Sequence, residues 1–346
     1  MWVVPSIGGT RLLGVLFFGS CMVLAPALTA HGADQESGGR SLPGAILIPL
    51  DLAVLLYAAG MARLWRQAGV GRGVALWQPG SFAAGWALLV AALLSPLHEL
   101  GDRLFTAHMI EHEVLMIAAA PALVLSRPLG AMLWSFPRAI RRHIAGTVRW
   151  PIVRVTWRGL TEPASATVLH GFAIWSWHMP VLFSAALARE PVHWLQHVSF
   201  LATALLFWWA LLSSRTRRKS YGASVFYLFF TSMHCGLLGA ILALSKNEIF
   251  VTRNSVAAQW GLSALEDQQL GGLIMWVGAS AFYLAAALIL AAFWIGSGSS
   301  AVKKIGSGAV PREINAVPIY GMQERRRNHS ALVSSEVTRP GMRDQK

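Results

Sequence analysis

The sequence predicts an all-α, polytopic transmembrane helical bundle with about seven spanning helices after an N-terminal signal-like segment. Three observations carry this. Seven apolar runs each reach the ~20 residues needed to cross a bilayer. Charged residues make up only 13% of 346, and mean hydropathy is +0.50, where a soluble domain carries roughly 25% charge. The basic residues are segregated between the apolar runs, as in membrane proteins.

The chain opens with a lone Arg11, an apolar stretch over 12–30 and the small-residue step Ala30-His31-Gly32. This reads as a secretory leader over 1–33; an uncleaved first helix is the alternative. The apolar runs follow at 45–64, 80–97, 104–125, 164–187, 193–212, 224–244 and 270–295. A spanning segment must satisfy its own backbone polar groups, so each is expected to be helical. Alternating ten-residue strands are absent, which excludes a β-barrel. The predicted organisation is a leader over 1–33, a seven-helix membrane domain over 34–295, and a basic, Gly/Ser-rich cytoplasmic tail over 296–346 without apolar periodicity, expected to be disordered.

Orientation follows from the distribution of Lys and Arg. With the segment before the first run outside, alternate connections and the tail hold 23 of the 29 basic residues, including Arg63, Arg66, Arg138, Arg141, Arg215 and Lys219. Only Arg40, Arg103, Arg189, Lys246 and Arg253 fall on the other side. The expected location is a bacterial inner membrane, with the C-terminus cytoplasmic. In the connection 127–162, Trp134, Phe136, Trp150 and Trp157 interleave with arginines, the pattern of a segment lying on the inner leaflet. The net charge of +13 is read as topology and attraction to anionic lipid; no groove-reading motif accompanies it, so nucleic acid is excluded as a partner. Cys21 and Cys235 are the two cysteines. One falls in the leader and no CxxC occurs, so neither a disulfide framework nor a thiolate clamp is expected.

Chemistry concentrates in the histidines. His98 falls between the second and third runs, His108 and His112 in the first turns of the third, His178 in the outer half of the fourth, and His193 and His197 at the start of the fifth. All lie toward the outer side. Each i,i+4 pair puts two imidazoles on one helix face. Met109 is one step round from His108, and imidazole with thioether suits copper, the thioether favouring copper(I). Glu111 and Glu113 flank His112, and carboxylates in a span require a partner. The competing reading is that such histidines sit at a wet interface or bond neighbouring helices. The Met116, Met179, Met233 and Met275 side chains read as packing, and His234 beside Cys235 as a buried pair. Asp267 either caps the last span or pairs with a histidine of a neighbour. No phosphate loop, nucleophile elbow or HExxH is present; HMIEH places its Glu before the second His, which does not make a protease.

Three stretches together resemble a known family. Residues 95–125 (SPLHELGDRLFTAHMIEHEVLMIAAAPALVL), 175–209 (with WSWHMPVLFSAAL and VHWLQHVSFLATALLFWW) and 262–277 (LSALEDQQLGGLIMWV) are similar, in order and spacing, to multi-spanning CtaG-type cytochrome c oxidase assembly factors. The resemblance covers roughly 45–295. It implies about seven spans, and a role in maturing a haem–copper oxidase by handling copper. The matching positions are His108, Met109, His112, Trp177, His178, Pro180, His193, His197, Asp267, Gln268 and Gln269.

The reading is therefore a non-enzymatic assembly factor. It is expected to bind copper at the outer face through a subset of His108, Met109, His112, His178, His193 and His197, and to pass it to a haem–copper oxidase subunit in the same bilayer. A membrane cytochrome with bis-His haem ligation and a metal transporter are the alternatives.

Overall fold

The computed structural model describes residues 43–213, 217–250 and 255–306. The leader 1–33, Cys21, His31, Arg253 and the tail beyond Gly306 lie outside them. The chain divides into two units between Ile295 and Gly296, and the first holds the helical bundle.

Each apolar run is helical, and no strand occurs among the described residues. We number the helices α1 (Pro43–Ala68), α2 (Gln78–Leu93), α3 (Pro96–Gly101), α4 (Phe105–Leu125), α5 (Pro128–Trp134), α6 (Arg138–Thr147), α7 (Pro151–Leu160), α8 (Pro163–Trp177), α9 (Pro180–Ala188), α10 (Glu190–Leu212), α11 (Arg217–Ala243) and α12 (Ala264–Gly296). Among the described residues α1, α4, α10, α11 and α12 are long and apolar enough to cross a bilayer, and α8 with α9 adds a sixth as a broken span. The seventh run is the 16-residue α2, about 24 Å at 1.5 Å per residue, short of the ~30 Å hydrocarbon core.

Proline decides both departures from seven plain spans. Run 80–97 ends early because Pro96 starts α3 behind the N-cap Ser95, whose side chain accepts from Leu97 N–H. Run 164–187 breaks at His178–Met179 with a 73° bend. Pro180 pushes Met179 into the extended region, φ −71° and ψ 132°, so α8 cannot continue into α9.

Two spans contain a turn of π-helix, Val114–Ala119 in α4 and Ile274–Ala279 in α12. These widened turns insert one residue each and free backbone groups to bond elsewhere. The Trp208 indole N–H of α10 donates to the Met116 carbonyl inside the first of them, at 2.9 Å.

The bundle pairs α1 with α5, α2 and α10 with α4, α8 with α10, α11 with α12, and α12 with α4. Its core includes Met116, Phe200, Phe207, Trp208, Leu228, Met275 and Tyr283. The α11–α12 seam is backbone-close: a Cβ on Gly239 would stand 2.6 Å from Trp276 N, and one on Gly272 would stand 2.5 Å from Ala243 N. Small residues permit such approach in lipid, where packing rather than hydrophobicity drives helix association. Outward faces are apolar, with Leu55 (65% exposed), Phe172 (72%) and Leu288 (61%). A contiguous belt of this kind is stable only against hydrocarbon.

Candidate metal centre

Four helices bring one group of side chains together. His108, Glu111 and His112 lie on one face of α4, spaced three and four apart. His193 and His197 do the same in the first turns of α10. The short α3 supplies His98, and the break after α8 supplies His178.

The start of α4 is anchored from elsewhere in the chain. Its N-cap, Leu104, offers no side-chain acceptor. Asp267 of α12 instead accepts from Phe105 N–H at 2.7 Å and Thr106 N–H at 2.9 Å, while the Thr106 hydroxyl donates to the Asp267 carbonyl at 3.1 Å. A carboxylate on a helix N-terminus also matches the macrodipole. Asp267 is free for this because α12 caps itself, through a reciprocal Ser263–Glu266 box. Asp267 thus caps a neighbouring helix rather than its own helix or a histidine. Gln268 and Gln269 hold the preceding connection: Gln268 Oε1 accepts from Ile249 and Phe250 N–H, and Gln269 Nε2 donates to the Ser245 carbonyl.

The rings interlock. Ring centroids are 4.2 Å apart for His108–His112, 4.5 Å for His193–His197, 5.1 Å for His112–His197, 5.3 Å for His98–His193 and 5.5 Å for His108–His193. Glu111 Oε1 lies between two imidazoles, 2.7 Å from His98 Nδ1 and 3.5 Å from His197 Nε2. Ligand atoms of His98, Glu111 and His197 all fall within 4.8 Å of one another. His193 Nε2 and His197 Nε2 are 2.9 Å apart, and His193 Nδ1 is 3.5 Å from Asp102 Oδ1. Two imidazole nitrogens at that separation share one proton or turn both lone pairs toward a cation.

His178 owes its geometry to the helix end. Its Nδ1–H donates to the Ile174 carbonyl at 2.7 Å, an oxygen that also accepts from the His178 backbone N–H at 3.3 Å. That fixes the neutral tautomer with the Nε2 lone pair bare, the arrangement in which a second ring nitrogen orients a ligating one. Nε2 is buried without a hydrogen-bond partner among the described residues, its ring 6.3 Å from that of Phe200, which also packs on His112 at 4.7 Å.

Polar satisfaction is what sets this group apart. Both ring nitrogens of His108 and of His112, and Nδ1 of His197, are buried without a hydrogen-bond partner among the described residues; His108 approaches the Gly101 backbone without reaching hydrogen-bond geometry. Each orphaned buried polar atom costs about 1–3 kcal/mol. A bound group that accepts lone pairs would satisfy several of them at once. Neutral imidazoles with one carboxylate are a donor set for copper or zinc.

The remaining residues singled out from sequence fall elsewhere. Met109 is buried in the apolar cluster of Phe105, Phe183, Leu242 and Phe250, against Gly271 of α12. Glu113 shares the Met109–Met116 face, about 100° round from the histidines, within electrostatic reach of Cys235 and Tyr283. His170 faces Thr203 at 3.1 Å and Tyr283 at 3.5 Å, and His234 abuts Cys235. Conversely, His98 and Glu111 belong to the cluster although neither stood among the candidate ligands. Gln196, three residues after His193 on the same helical face, is buried with neither side-chain polar atom hydrogen-bonded among the described residues.

Residues 55–297 match the family described as cytochrome c oxidase caa3 assembly factor (Caa3_CtaG). The chain is 28% identical over 249 residues to an uncharacterised protein of Mycobacterium bovis and to one of Mycobacterium tuberculosis, covering 68% of this chain and 36% of each relative. An uncharacterised protein of Mycobacterium leprae is 28% identical over 250 residues with the same coverage. The chain thus spans about a third of the length of these curated relatives. No solved structure matches it.

Proposed function

Because the chain belongs to the cytochrome c oxidase caa3 assembly factor family, we propose that it serves maturation of a haem–copper oxidase by holding copper in the histidine cluster and releasing it to an oxidase subunit in the same bilayer. The protein acts on this reading as a carrier rather than an enzyme. The observation that supports it is the convergence of imidazoles from α3, α4 and α10 around Glu111, with buried nitrogens that no group among the described residues satisfies.

Copper here is cargo, and its chemistry limits the site. Imidazole accommodates either oxidation state. Glu111 offsets positive charge in a low-dielectric surround, where a naked ion is costly. Exchange needs an exit: Asp102, beside His193, is 26% exposed, so that edge of the cluster meets solvent while His108 and His112 close its inner side. With basic connections on the cytoplasmic side, this edge faces outward.

The test is copper content and competition on the purified protein, set beside oxidase activity in cells. We expect bound copper that His108→Ala and His197→Ala remove, with loss of oxidase copper. A protein that binds no copper, with both variants supporting full oxidase activity, overturns the reading. Interlocked rings with centroids 4.2–5.5 Å apart also favour a single ion over a porphyrin, which needs a flat slot between its axial imidazoles. A Soret band in the purified protein would restore the haem alternative.

A further inference from the structure

A second polar site lies at the other end of α4, independent of the metal reading. The C-terminal part of α1 and the α5–α6 connection enclose a cleft of about 600 Å³ lined by Arg63, Arg66, Arg138, Arg141, Trp134 and Phe136. Four arginines therefore line one space. No carboxylate among the described residues pairs with any of them.

The cleft is built rather than incidental. Arg63 Nη1 donates to the Ser135 carbonyl at 2.5 Å, which fixes one wall. The Arg141 guanidinium carbon lies 4.0 Å from the centre of the Trp134 ring, a cation–π contact that holds the fork in one plane. The Nε of Arg141 is buried with no hydrogen-bond partner among the described residues. Burial and the neighbouring charges of Arg138 and Arg63 pull that guanidinium below its usual range. Like charges gathered without a counter-charge are destabilising, unless an anion completes the set.

We infer that this cleft seats the phosphodiester of an anionic phospholipid headgroup. Arginine forks match phosphate oxygens in a bidentate manner. Basic pockets between spanning helices on the cytoplasmic side are suited to such headgroups. Lipid rather than free phosphate is favoured by what adjoins the cleft. It sits at the end of a spanning helix, and the same segment exposes Ile140 (45%), Trp150 (62%), Ile152 (73%) and Val155 (64%), apolar surface that acyl chains cover at a bilayer edge.

Native mass spectrometry of the full chain in neutral detergent tests this. Dioctanoyl phosphatidylglycerol, dioctanoyl phosphatidylcholine and inorganic phosphate are titrated separately. The expected result is phosphatidylglycerol adducts at least tenfold tighter than phosphatidylcholine adducts and not displaced by millimolar phosphate. Arg138→Gln with Arg141→Gln is expected to weaken them about tenfold, and Arg154→Gln on α7 to leave them unchanged. Arg141→Lys keeps the charge without the fork and should fall between. Equal binding of the two lipids, or equal loss with Arg154→Gln, overturns the site. Phosphate binding as tight as phosphatidylglycerol overturns the lipid assignment. An unchanged unfolding temperature and size-exclusion profile of the double variant show that it has folded.

Discussion

The carboxylate of Asp267 caps the backbone of Phe105, 162 positions earlier in the chain. The first turn of α4 is thereby tied to the first turn of α12, and His108 and His112 are carried on the helix that this clamp fixes. An aspartate cap is worth about 1–2 kcal/mol. We expect Asp267→Ala to lower stability in detergent by that amount, and Asp267→Asn by less because it keeps an acceptor. Thermal unfolding followed by size exclusion checks this. Copper affinity should fall along with stability, whereas a carboxylate acting only as a ligand would affect affinity alone.

Glu111→Gln isolates the carboxylate between His98 and His197. The amide keeps the shape and loses the charge. We expect a 10–100-fold loss of copper affinity, the range found when groups supporting a metal site are altered, measured by competition with a chromophoric chelator. His143→Ala, on the exposed α6, should bind as the unaltered protein does.

Met109→Leu separates thioether ligation from packing. In its cluster with Phe105, Phe183 and Leu242 this is a volume-conserving swap costing less than about 1.5 kcal/mol. Copper affinity should stay within about twofold; a tenfold loss would make Met109 a ligand.

Gly239→Leu tests the α11–α12 seam. A side chain there meets the Trp276 backbone at 2.6 Å, and backbone cannot swing aside as a side chain does. Overpacking should cost about 1–3 kcal/mol or more, read as a lower unfolding temperature. Gly146→Ala on α6, where a Cβ meets nothing within 4 Å, should be neutral or slightly stabilising.

Much of the fold was legible because each span had to be apolar over its whole length. The bend at His178–Met179 and the shortness of α2 were written in Pro180 and Pro96, but an apolar run counted by composition passes over a proline. The π turns leave no comparable mark, since Val114–Ala119 reads as ordinary helix. In the site, His108/His112 and His193/His197 were legible from i,i+4 spacing, a local property. Glu111 was legible as a carboxylate in need of a partner and His98 as an outer-side histidine, but their pairing was not, because it depends on how α3 folds back onto α4. Met109 shows the converse: adjacency in sequence is a 100° rotation on a helix, which puts its side chain in the apolar cluster of Phe105 and Phe183.

That rotation gives the widened turn at Val114–Ala119 a consequence for comparing chains. One extra residue in a turn offsets the phase of everything before it by about 100°. Downstream, α4 is locked by Leu123 against Gly85 of α2. Deleting a single residue between them, with the lower half held, would swing both imidazoles a quarter-turn out of line with α10. Relatives that share these histidines but lack one position in this stretch would need a different mate for them.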